Sequence, residues 1–135
     1  MVYVAAYVAA LLLFFLYDMI WLGTMVSRLY RPTLGDLLLS GVNMTPAIIF
    51  YLLYPVGLVI FAIAPALKGG NIVSALTLGA LLGFFTYGTY DLTNQATLRN
   101  WSTTLTIADI AWGSVLGAIT AAWAFWVITK LFPQT

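Results

Sequence analysis

The sequence contains no cysteine, no histidine and no glutamate; its acidic residues are four aspartates. Those absences remove the parts for the usual zinc sites, iron–sulfur clusters, His- or Cys-ligated haem, di-iron carboxylate centres and Cys–His nucleophiles. No glycine-rich phosphate loop occurs either, so neither a metal nor a cofactor is expected. Charge is equally scarce. Charged residues make up 7% of the 135 residues, against about 25% in soluble domains. The net charge of +1 points to no nucleic-acid partner, and no basic cluster marks an anionic-lipid site. Chemistry is left to Asp, Ser, Thr, Tyr, Asn, Arg and Lys.

What fills the chain is apolar: 63% of residues are hydrophobic and mean hydropathy is +1.02. A membrane span takes about 20 such residues, so the length holds four helices and little else. The expectation is an all-α membrane protein, a single integral domain over 1–135 built as an antiparallel bundle. Its helices are expected over about 3–26, 45–67, 72–93 and 105–129. The first is too long for a signal-peptide core and no base precedes it, so a retained span is expected. Pro55 falls mid-span in the second and should kink it. Lys68, Gly69, Gly70 and Asn71 make a tight turn before the third. Thr104 to Thr106 offer hydroxyls to cap the fourth. Residues 27–43 form the longest connector, with Leu34, Leu37, Leu38 and Leu39 able to lie at the interface as a short amphipathic helix.

Polarity gathers in residues 84–113, FFTYGTYDLTNQATLRNWSTTLTIADIAWG. Such groups are costly at membrane depth unless paired or facing a wet cavity. Steps of four along the third helix put Gly79, Gly83, Tyr87, Asp91 and Gln95 on one stripe; the fourth helix repeats the pattern with Asp109, Gly113, Gly117 and Ala121. Small residues at that spacing let helices approach closely. Trp21 follows Asp18 at i+3, and Trp112 follows Asp109 at the same interval. Four antiparallel spans place every aspartate, with Arg28, Arg31 and Arg99, on one side of the membrane. Lys68, Lys130 and the amino terminus fall on the other. A polar chamber near one face is therefore expected, walled by Asp18, Trp21, Tyr87, Asp91, Asn94, Asp109 and Trp112. Arg99 is counted among the site residues, and if the protein is a structural subunit it forms a buried pair with Asp91; Arg28 and Arg31 are read first as solvated charges of an interfacial loop, with either able to turn inward toward Asp18. The base count weakly favours a chamber open to the cytoplasm. A shift of 73 residues lays Tyr17-Asp18 on Tyr90-Asp91 and Asp36 on Asp109, the trace of a tandem repeat of two helical hairpins.

The strings YDMIWLG (17–23), PAIIFYLLYPVGL (46–58), YDLTNQATLRNW (90–101) and DIAWG (109–113) together resemble the bacterial membrane proteins grouped as domain-of-unknown-function family 2177. Carried over by position, the resemblance implicates Asp18, Trp21, Gly23, Tyr90, Asp91, Leu92, Thr93, Asn94, Thr97, Leu98, Arg99, Trp101, Asp109, Trp112 and Gly113. It implies a multi-pass protein of the bacterial inner (cytoplasmic) membrane and supplies no activity. Proximity of some members to fatty-acid-modifying enzymes is an associational hint toward lipids.

Three functions are compatible with these residues. The first is binding or transport of a cation, a proton or a small polar or amphiphilic substrate through the aspartate-lined chamber. An enzyme or accessory factor in lipid or fatty-acid modification is the second, with carboxyls dividing acid and base roles. The third is a structural subunit of a membrane complex, supported by the glycine stripes. Membrane lipids are expected partners in all three, together with a homodimer or a larger complex, since four helices make a thin wall.

Overall fold

The computed structural model describes residues 1–133. Four helices in it have the length and composition of membrane spans: α1 (Val2–Leu37), α2 (Met44–Gly69), α3 (Ile72–Thr97) and α4 (Thr103–Leu131). The architecture is the expected all-helical membrane bundle, with no strand among the described residues. Large apolar side chains such as Leu12, Ile49, Leu53 and Phe85 are exposed on its outside, as lipid requires.

The inward faces follow from simple spacing. On α1, Ala6, Ala10, Phe14 and Asp18 recur every fourth residue and all are buried. The same stripe that packs the core therefore carries an aspartate inward. On α3 the buried set is Ala75, Gly79, Gly83, Gly88 and Asp91. Between α3 and α4 the backbones meet directly. A Cβ built at Gly79 would strike the Gly117 carbonyl and come 2.8 Å from the Ala121 Cβ, and one at Gly83 would strike the Gly113 carbonyl. Both glycine stripes are thus used against each other within one chain.

The turns use local chemistry. Gly70 takes the left-handed conformation (φ 65°) that ends α2, and the Asn71 side chain accepts from the Val73 N–H at 2.8 Å to start α3. The α4 cap is Ser102, whose hydroxyl accepts from the Leu105 N–H at 3.1 Å, and not the threonines at 104–106. Thr106 instead donates to Gln95 Oε1 at 2.7 Å, and Gln95 donates to Thr103 at 2.9 Å, so one glutamine laces the two helix ends together.

Three features depart from the sequence reading. The connector is much shorter than 27–43, because α1 continues through a π turn (Val26–Tyr30), one α turn (Arg31–Leu34) and a 3₁₀ turn ending at Leu37. Leu34 is buried instead of lying on the membrane surface. Pro55 lies within α2 as expected, and a π turn (Val59–Ile63) follows it one turn later. The fold does not show a tandem repeat: Asp36 sits exposed in a 3₁₀ turn, whereas its expected counterpart Asp109 is buried inside α4.

Because the α3–α4 contact leaves no room for side chains, Gly83→Leu should destabilise the protein by about 1–3 kcal/mol or more. Gly57→Ala, where a Cβ meets nothing within 4 Å, should be near neutral. Thermal unfolding of the two variants in the same detergent checks the contrast.

Candidate functional site

The polar residues of α1, α3 and α4 come together near one end of the bundle. Asp18 lies about 24 Å along α1, and Asp109 about 9 Å into α4, at a rise of 1.5 Å per residue. Asp18 and Asp109 line one cavity of 290 Å³ together with Trp21, Tyr87, Tyr90 and Trp112. A second cavity of 390 Å³ lies against Phe50, Tyr54, Thr86, Tyr87, Tyr90 and Asp109. Tyr87, Tyr90 and Asp109 belong to both and so form the partition between them.

The repeated Asp-x-x-Trp spacing is resolved by an exchange between antiparallel helices. Trp112 of α4 donates its indole N–H to Asp18 Oδ1 of α1 at 3.1 Å. Trp21 of α1 donates to the Tyr30 hydroxyl at 3.0 Å, and that hydroxyl donates to Asp109 Oδ1 of α4. The two indoles stack between these bonds with ring centroids 4.6 Å apart and planes 4° from parallel. Each tryptophan therefore serves the aspartate of the opposite helix. Tyr51 of α2 completes the set by donating to Asp18 Oδ2.

Asp91 is different. It is 0% exposed, and neither carboxyl oxygen has a hydrogen-bond partner among the described residues. The carboxyl of Asp109 is its near neighbour. Burial of an ionised carboxylate without a donor costs several kcal/mol, a cost that a proton or an incoming cation relieves. No three acidic side chains among the described residues converge closely enough to hold a metal ion.

Of the residues expected at the site, Asp18, Trp21, Tyr87, Asp109 and Trp112 meet at the first cavity, and Asp91 stands beside Asp109. Asn94 lies next to the Tyr90 hydroxyl. Arg99 does not join them. It is exposed on the α3–α4 loop, beside a surface hollow that also borders Asp36 and Asn100, so the Asp91–Arg99 pair that a structural subunit would carry is not formed. Arg28 and Arg31 are exposed too, and the partners of Asp18 are Tyr51 and Trp112.

Tyr30 is the residue that the sequence reading missed. In an unbroken helix it would stand about 120° round from Asp18, twelve steps of about 100°. The π turn inserts one residue, which removes one such step and leaves Tyr30 within about 20° of the Asp18 direction. Nothing in the residue types of 26–30 announces that turn. Tyr51 and Tyr54 carried a weaker signal, four residues and one residue before Pro55.

A family description, that of a predicted membrane protein family designated DUF2177, matches residues 3–126. The chain belongs to DUF2177. No curated protein and no solved structure matches it. In this DUF2177 chain, the positions carried over from the resemblance divide in space: Asp18, Trp21, Tyr90, Asp109 and Trp112 line the cavity, whereas Arg99 borders a surface hollow at the α3–α4 loop.

Tyr30→Phe removes two bonds at once, leaving the Trp21 N–H and an Asp109 oxygen without partners. The expected cost is about 1–3 kcal/mol, read as a lower unfolding midpoint in detergent, with a changed tryptophan emission as the indole loses its acceptor. Arg99→Ala, at an exposed position, should change the midpoint little.

Proposed function

We propose that this protein binds a cation or a proton at the Asp91–Asp109 pair and carries it across part of the membrane, with the adjoining cavities as the path for a small polar or amphiphilic substrate. One observation carries the reading: a wholly buried carboxyl, with no hydrogen-bond donor among the described residues, stands next to a second carboxyl that lines two cavities. Buried ionisable groups at membrane depth are the usual mark of ion and proton pathways. The glycine stripes, the support for a purely structural subunit, are already occupied by the α3–α4 contact. The resemblance to bacterial membrane proteins supports the bacterial inner membrane as the setting.

Reconstituted liposomes test this reading. Proton or cation flux driven by an imposed gradient should fall by about tenfold or more in Asp91→Asn, the loss expected when a charge-assisted contact disappears. Equal flux from the variant and the wild type would overturn it.

A second reading, an enzyme acting on a membrane-soluble lipid, is favoured by the paired Tyr30–Asp109 and Tyr51–Asp18 groups, each a hydroxyl donor held on a carboxylate at the cavity. On that reading, lipid extracts of deletion and wild-type strains differ in composition. Indistinguishable extracts across growth conditions would argue against it.

A further inference from the structure

We infer that the substrate of this site is a single-chain amphiphile with an organic ammonium head, held with its head at Asp109 and its alkyl chain in a groove between α2 and α3. The inference deepens the cation-binding reading above and rests on it.

The charge inventory sets the sign of the head. Asp109 and its neighbour Asp91 bring carboxyls to the site, and Asp18 adds a third one cavity away. All five basic residues of the chain are exposed, and none of them lines either cavity at Asp109. An anionic or zwitterionic head would find no positive partner there, while an ammonium finds a carboxylate.

The walls set the kind of cation. The 390 Å³ cavity is faced by the rings of Phe50, Tyr54, Tyr87 and Tyr90, with Tyr54 and Tyr87 edge-to-face at 6.3 Å. That volume lies within the range of about 300–1,000 Å³ of small-molecule sites. Aromatic faces attract alkylammonium ions through the ring quadrupole, most strongly away from water. A small metal ion wants a cage of oxygens instead, and the described residues provide no group of three acidic side chains for one.

A tail is implied by what adjoins the head cavity. A third cavity, of 240 Å³, shares Phe50, Tyr54 and Thr86 with it and continues along Leu53, Gly57, Phe61 and Leu82. Phe50 and Asp109 each lie about 9 Å from their helix ends, just below one membrane face. Gly57 and Phe61 follow Phe50 along α2, farther from that face. Phe50 is 39% exposed and Tyr90 57%, so the head cavity is open at its side toward lipid. An amphiphile already resting in the leaflet has its charged end at this level and its chain pointing down the groove, so it reaches the site laterally without leaving the membrane.

The test uses the full chain in lipid nanodiscs, titrated calorimetrically with octyltrimethylammonium and with empty nanodiscs as the blank. The expected result is saturable binding, with octyl sulfate and octanol giving only the partitioning seen in the blank. Asp109→Asn, which keeps an oxygen for the Tyr30 hydroxyl, should weaken the ammonium by about tenfold or more. Gly57→Leu fills the groove at a position where an added Cβ meets nothing within 4 Å. It should weaken octyltrimethylammonium severalfold and leave butyltrimethylammonium unchanged. Equal binding of octyl sulfate or octanol, unaltered ammonium affinity in Asp109→Asn, or a Gly57→Leu effect independent of chain length would each overturn the inference. Because the readout is binding, its failure beside an intact Asp91-dependent flux removes this inference alone. Saturable ammonium binding beside Asp91-independent flux would remove the transport reading alone.

Discussion

The close approach of α3 and α4 is the constraint on which the rest depends. Gly79 and Gly83 face Gly117 and Gly113 with no side chain between them, so backbone lies on backbone. Helices in lipid gain little from hiding apolar surface from one another, and packing of this kind supplies the attraction instead. The consequence is chemical as well as mechanical. Asp91 and Asp109 extend the same two stripes, so the contact that joins the helices also forces two carboxyls together.

A second layer of order is built on that contact by the crossed tryptophans. Asp18 and Asp109 are each followed by an indole one turn later, and antiparallel packing lets each indole answer the other helix's acid. Stacking of the indoles ties the two bonds into one unit. Two of the three buried aspartates are thereby satisfied, and the third, Asp91, has no donor among the described residues. The contrast singles out Asp91 more sharply than its burial does.

Much of the site was legible because its residues lie on regular helix at fixed spacing. The steps of four from Gly79 to Asp91 and from Asp109 to Ala121 needed only the helix period, and the lopsided distribution of aspartates needed only the antiparallel order of the spans. What escaped were the places where the period changes. Tyr30 came inward because a π turn altered its phase. The Asp91–Arg99 pairing failed on a different ground. Arg99 follows the end of α3, where Leu98 is already extended and Asn100 turns left-handed, and that change of direction carries the guanidinium away from the helix face. Opposite charge in neighbouring turns says little once the backbone between them leaves the helix.

Tyr87 stands where a side chain on the facing helix would ordinarily be, its ring pressed onto the bare backbone of Gly113. The ring is consequently backed by main chain, which does not yield, and is met edge-to-face by the Tyr54 ring. Since it borders both hollows at Asp109, the bare backbone at position 113 fixes where the boundary between them stands, and any larger residue there would displace it.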